Sequence, residues 1–459
     1  RAALEWVILL QLPLAIAREL GVRSRTADAE SRWRVIWTGL FTGTGILAAV
    51  CLLFLIFPQT SAALLFGSAK MSPWVTPFCS LLFAYGILLI ANGIMRGLFS
   101  FNSANLIRLV CIAFLPTLCL IVGRKSDLRA VVSTMGCVSA LTSFIFILHL
   151  FATRMPRGLL SRKTVRLDRG EMRGLLAFGM PRLLTLAMAA ILSTMIPWLI
   201  SNRNQPELLA AVNSLLAILA ASSLLTAPIG FVLLPYFSRA ISSGNRSQSA
   251  AQLTDILSFT YTVGILGTLF CLGAIPSIIA AWLGPSFSAY GGLIVGISLM
   301  LPGYLLLEVL RSPLDAVSRL PWNSLSYGAG AAAAGITFYA SLRFCHLPLA
   351  SASALALPLG YTLAGLCGAL IAAKFYELPK PGRSFYRQSW SWLLCVLALS
   401  VEYTLNAHDY IKFLSCSALI LIMVYIIYNT RPNWVQYFAK SLSDLKTKNL
   451  NKTGSDIDE

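Results

Sequence analysis

Arg182 is the residue that asks most of whatever surrounds it. It follows Pro181 about two turns into an apolar run, roughly 12 Å along a helix axis, so its guanidinium lies well below any interface. An ionisable group at such depth is costly and points by default to a protein interior or a watery cavity. The planar fork of an arginine can grip a pyrophosphate through paired hydrogen bonds, a geometry that favours Arg over Lys. The plainer alternatives are pairing with a neighbouring acid and snorkelling to the interface.

Other polar groups interrupt apolar stretches. Glu308 and Arg311 are three residues apart on one helical face, which reads as a local ion pair or as gating and substrate-contact groups at a cavity mouth. Asn92 and Asn213 are amides in apolar helices, where hydrogen bonding between helices is the common role and sugar recognition the sharper one. Glu5 is a candidate proton or sodium ligand. Pro181, Pro197, Pro228 and Pro302 each withdraw an N–H from a helix and are kink candidates. Arg108 and Glu402, near span ends, read as snorkelling residues.

Enzymatic signatures are missing from this inventory. There is no GxxxxGK[ST] loop and no HExxH pattern, and His149, His346 and His408 are far apart in sequence. Neither a nucleotide-phosphate cradle nor a zinc set is present in recognisable form, so no cofactor, metal or catalytic group is expected and the chain is not read as an enzyme. Ten cysteines occur without CxxC spacing, nine of them in apolar runs; they read as small hydrophobes.

The elements that must position these residues follow from composition. Of 459 residues 57% are hydrophobic and 12% charged. A soluble domain carries roughly 25% charged residues, so the chain is a polytopic integral membrane protein. Its net charge of +18 is read as cytoplasmic anchoring rather than nucleic-acid binding. A spanning helix needs about 20 apolar residues, and thirteen such runs occur: 2–17, 35–57, 73–95, 106–123, 130–152, 174–201, 208–234, 256–282, 289–310, 323–342, 349–373, 390–406 and 413–429. Backbone groups in lipid must be satisfied internally, so these runs are helices and the fold is all-α.

Alternate loops divide the basic residues 27 to seven, placing the richer side, with the polar tail at 430–459, in the cytoplasm. Thirteen crossings would put Arg1 on the outer face, which predicts one further helix before it. An internal repeat leads to the same expectation. LPLAIARELG followed by TGILAAVCLLFLIFP resembles LLPYFSRAIS followed by VGILGTLFCLGAIP, matching Pro13 with Pro235, Arg18 with Arg239, Gly45 with Gly264 and Arg96 with Arg311. Both copies face the same way, so the repeat is parallel. Arg96 is thereby a candidate helper to Arg311, with a positive-inside anchor as the plainer role. The predicted organisation is an N-terminal lobe at 1–152 lacking its first helix, a basic cytoplasmic linker at 153–173, a C-terminal lobe at 174–373, and two added helices within 374–429. The whole design would hold fourteen spans.

The segments LLAFGMPRLLTLAMAAILSTMIPWLISN and LAAVNSLLAILAASSLLTAPIGFVLLPYFSRAIS resemble the multidrug, oligosaccharidyl-lipid and polysaccharide exporter (MOP) superfamily, in particular its polysaccharide-flippase branch. The resemblance covers nearly the whole chain as a helix arrangement, through degenerate small-residue and proline patterns. It implies two six-helix bundles around a cavity that opens alternately to either face. The implied function is transfer of polyprenyl-pyrophosphate-linked sugar repeat units across the bacterial inner membrane for polysaccharide or O-antigen synthesis. Implied partners are that lipid-linked substrate, membrane lipids, a polysaccharide polymerase with its assembly proteins, and H+ or Na+ as coupling ion. A drug or small-cation antiporter of the same superfamily is the alternative. A glycan polymerase or ligase is disfavoured because the outward loops are short.

Overall fold

The computed structural model describes residues 9–378 apart from 27–28, 67, 124–126, 155–164, 166, 245, 285–286 and 288–289. All regular elements among them are helical. They are α1 (Leu12–Thr26), α2 (Ala29–Ile56), α3 (Pro58–Phe66), α4 (Val75–Gly97), α5 (Phe101–Arg108), α6 (Leu115–Val122) and α7 (Leu128–Arg154). They continue with α8 (Arg169–Gly179), α9 (Leu183–Ser201), α10 (Pro206–Ser242), α11 (Arg246–Leu283), α12 (Gly291–Ser298), α13 (Leu301–Val317), α14 (Trp322–Arg343) and α15 (Leu349–Tyr376). Eight helical stretches among the described residues are long and apolar enough to cross a membrane. The expected runs 390–406 and 413–429, the tail and Glu5 lie outside the described residues.

Three expected spans are less regular than the apolar pattern implies. Of the run 2–17 the described part opens on a turn, with Leu10 and Gln11 in the left-handed region at φ 50° and 57°, and α1 begins at Leu12. Pro13 is the physical reason: in the first turn its ring costs nothing, but a helix continuing through it from the N-terminal side would clash with the carbonyl four residues back. The run 106–123 is α5 and α6 joined by a π-helical turn, Leu109–Phe114. The run 289–310 breaks between Ser298 and Leu301, and Pro302 then occupies the first turn of α13, where no hydrogen bond is lost.

The described residues group into two compact units. The first comprises the described residues within 1–187, 231–244 and 315–324, the second those within 188–230, 245–314 and 325–378. In the first, α4 is buried nearly all round, through Leu81, Leu82, Ala84, Leu88, Ile90, Ala91 and Ile94, and α1, α2 and α7 pack on it. Such contacts between membrane helices rely on close packing rather than on exclusion of water. Gly93 shows how tight they are, since a Cβ there would stand 2.5 Å from the Pro13 carbonyl oxygen.

In the second unit the core joins Leu192 and Ile196 of α9, Val212 and Leu215 of α10, Leu305 of α13, Ala334 of α14 and Leu357 of α15. Helix α15 is patterned inside out. Leu355, Leu359, Leu363, Leu366 and Leu370 are exposed at one-turn intervals, while Ala352, Ala356 and Ala364 are buried. Large apolar residues outside and mostly small ones inside, with Leu357 and Tyr361 among the buried exceptions, is the arrangement expected of a helix bordered by lipid on one face and by helices on the other.

Candidate functional site

Helix α8 starts on Asp168, whose Oδ1 accepts from the amides of Gly170 and Glu171 at 2.8 and 3.2 Å, an N-cap that satisfies two otherwise orphaned donors. It ends at Gly179 because Pro181 cannot donate back into the ladder. The chain tightens into a 3-10 turn, Met180–Arg182, before α9. That turn leaves Met180 outward and swings Arg182 inward to 1% exposure.

Buried there, Arg182 is fully engaged by protein. Nε donates to Asp315 Oδ1 at 2.8 Å, Nη1 to the carbonyls of Phe178 and Arg319 at 2.7 and 3.0 Å, and Nη2 to those of Ser318 and Asp315 at 2.7 and 3.4 Å. An arginine has five N–H groups, and each has an acceptor. Three of those acceptors are the carbonyls of Asp315, Ser318 and Arg319, at the C-terminal end of α13, where unpaired carbonyls and the helix dipole favour a cation. Of the roles anticipated for Arg182, pairing with an acid is the one this arrangement contains.

Phe178 connects this clamp to α1. The Arg182 guanidinium carbon lies 3.4 Å from the centre of its ring and that of Arg18 4.8 Å, so two cations share one aromatic. Arg18 also donates from Nη1 to Glu19 at 2.9 Å, but its buried Nε has no acceptor among the described residues. One turn on, Arg23 and Glu171 form a two-pronged pair, both bonds 2.8 Å. Burial alone would lower the Arg23 pKa; the bond and charge of Glu171 outweigh it and raise the pKa above its ordinary value. Glu19, Arg23, Asp168, Glu171, Leu175 and Arg319 border a polar recess of about 300 Å³.

The repeat partner of Arg18 is placed alike: the Arg239 guanidinium stands 5.5 Å from the Phe99 ring centre. Around Arg239 the chain also packs tightly, with a Cβ at Gly21 reaching within 2.8 Å of the Pro235 backbone. Arg96, in the last turn of α4, is 5% exposed and thus sits deeper than a surface anchor would. Asn92 Nδ2 donates to the Ala104 carbonyl of α5 at 2.8 Å, a link between helices.

The remaining candidates belong to the second unit. Glu308 is half-buried on α13 and accepts from the Tyr327 hydroxyl at 3.4 Å. Arg311, Tyr304 and Tyr361 lie within electrostatic reach of Tyr327, and the rings of Tyr304 and Tyr361 meet edge to face at 5.6 Å. Asn213 is exposed on α10. Pro197 lies inside α9, and Pro228 falls within α10.

Sequence reasoning passed over Arg18 and Asp315. Arg18 carried one signal, its match to Arg239. Asp315 carried none, since the expected span stopped at residue 310.

Comparison with known proteins places this arrangement. The family of polysaccharide biosynthesis proteins matches residues 2–241, and no curated protein matches the chain. Among solved structures, a MATE in complex with MaL6 superposes with a TM-score of 0.70 at 14% identity, covering 82% of this chain and 85% of the other. The Vibrio cholerae MATE transporter VcmN in its bent form gives 0.62 at 13% identity, covering 82% and 86%. The eukaryotic MATE transporter AtDTX14 gives 0.61 at 14% identity, covering 82% and 89%. The chain therefore belongs to the polysaccharide biosynthesis protein family and has the polytopic helical fold of the MATE transporters.

Proposed function

We propose that the protein flips a polyprenyl-pyrophosphate-linked oligosaccharide across the bacterial inner membrane by alternating access, its C-terminus in the cytoplasm. The observation that carries this reading is the buried Nε–H of Arg18, which has no acceptor among the described residues and lies beside a ring that already holds the Arg182 guanidinium. An incoming phosphate oxygen supplies the missing acceptor and adds negative charge beside two closely spaced guanidiniums. Arg182 acts as the fixed floor of this site and Arg18 as the contact. Arg96 and Arg311 are the further cation candidates, and Asn92 and Asn213 the amide candidates for sugar. The family match to polysaccharide biosynthesis proteins supports the substrate class, with a polymerase and assembly proteins downstream and H+ or Na+ driving the cycle.

A second reading, export of small organic cations, is favoured by the Glu308 carboxylate among Tyr304, Tyr327 and Tyr361, a group of acceptors and ring faces suited to a cation. Proteoliposomes loaded with a fluorescent polyprenyl-pyrophosphate oligosaccharide and read by an outside-only quencher decide between them. Protein-dependent translocation, lost in Arg18→Ala and partly kept in Arg18→Lys, is expected. Absent translocation with proton- or sodium-coupled efflux of an organic cation would replace the flippase reading with the second.

A further inference from the structure

Cys51 and Cys79 face each other across the contact between α2 and α4. Cys51 Sγ lies 3.7 Å from the Cys79 carbonyl oxygen, and Cys79 Sγ lies 3.8 Å from the Cys51 carbonyl oxygen, so each thiol is directed at the other residue's backbone. The helices approach this closely because the same seam carries glycines. A Cβ on Gly43 would stand 2.4 Å from the Ile90 side chain, and one on Gly86 2.4 Å from that of Leu47. Positions 43, 47 and 51 ascend α2 one turn at a time while 90, 86 and 79 descend α4, so the cysteines continue one antiparallel line of contact. A disulfide needs Cα atoms within about 7 Å and convergent Cβ vectors, and small residues at a helix crossing bring backbones closer than bulky ones allow.

The pair also sits at the end of the helices where oxidation is sustained. Cys51 is five residues before the end of α2 and Cys79 four after the start of α4, within about 8 Å of either terminus. The opposite ends carry Arg32, Arg34 and Arg96, the side that the basic-residue bias assigns to the cytoplasm. The thiols therefore lie toward the outer compartment, where disulfides persist, packed with Ala62, Val75 and Leu82.

We propose that Cys51 and Cys79 are oxidised to a disulfide that staples α2 to α4 at their outer ends. The reaction is exchange with a disulfide-bearing oxidant of that compartment. One cysteine thiolate attacks the oxidant's disulfide, forming a mixed disulfide and releasing one oxidant thiol. The second thiolate attacks the cysteine sulfur of the mixed disulfide, forms the Cys51–Cys79 bond and releases the other oxidant thiol. Two electrons and two protons leave the protein dithiol, and the oxidant ends as two thiols.

The test uses the full chain, expressed in cells with an oxidising outer compartment, acid-quenched, alkylated with N-ethylmaleimide in denaturant, and digested without reductant for mass spectrometry. The expected result is a linked peptide containing both cysteines that yields two separate peptides on reduction. Cys79→Ala, or Cys51→Ala should the first fail to accumulate, is expected to leave the remaining cysteine alkylated. Full alkylation of both cysteines in the unmodified protein overturns the proposal, as does a bridge that forms only after treatment with diamide.

Discussion

Arg182 Nε stands 2.8 Å from Asp315 Oδ1, with the two side chains only 2% and 3% exposed. The contact spans 133 positions of sequence and binds the turn before α9 to the end of α13. Removing one member leaves a buried charge with no counter-charge, which costs about 3–5 kcal/mol, whereas replacing both with apolar groups of similar volume is often neutral. We expect Asp315→Ala and Arg182→Ala each to lower the unfolding midpoint in detergent sharply, and Arg182→Met with Asp315→Leu to recover most of the loss. Single variants as stable as the parent would contradict the clamp.

Gly93 and Gly45 make opposite predictions from one substitution. A Cβ at Gly93 meets the Pro13 backbone, which has no flexible end to give way, while one at Gly45 meets nothing within 4 Å. Gly93→Ala is expected to lose about 1–3 kcal/mol through overpacking, and Gly45→Ala to be neutral or to gain up to about 1 kcal/mol from helix propensity. Thermal unfolding of the two variants side by side checks this.

The Arg23–Glu171 pair has better geometry than its effect on stability implies. Both side chains are about a fifth exposed, at 21% and 19%, so water and salt screen them and the pair is worth about 0.2–1 kcal/mol. Glu171→Gln should shift the unfolding midpoint only slightly, and the shift should shrink as salt is raised. Exchanging the charges, Arg23→Glu with Glu171→Arg, should restore what Arg23→Glu alone loses.

Asn92→Leu tests the link to α5. Hydrogen bonds between membrane helices average about 0.6 kcal/mol and rarely exceed 1.7, so a modest loss of stability with unchanged translocation is expected if the amide serves only the Ala104 carbonyl. A large loss of translocation in a stable protein would instead assign Asn92 to substrate.

How much of this was legible depended on whether the governing contact was local. The inside-out pattern of α15 and the rod at 35–57 follow from composition over twenty residues, and the helix start at Leu12 was available in Pro13 had its ring been weighed against the apolar run. The π-helical turn at Leu109–Phe114 has no marker in the sequence. Arg182 is a buried cation, but four of its five acceptors are three carbonyls and a carboxylate at 315–319, beyond the expected end of that span. Backbone acceptors have no residue type, so no reading of side chains reveals them. Arg18 suffered the reverse fate: counted among the cytoplasmic charges, it was treated as topology rather than chemistry.

The interruption between α12 and α13 has a mechanical meaning. Leu299 and Met300 close short bonds to Gly296 and Ile297, at 3.2 and 3.1 Å, so the break leaves their amides satisfied while separating two stiff rods. Bending is thereby concentrated at one joint instead of being spread along the span, and α13 becomes a lever with Glu308 seven residues out. At 1.5 Å per residue, a tilt of about ten degrees at Met300 carries the Glu308 backbone sideways by roughly 2 Å, enough to make or break its bond with Tyr327.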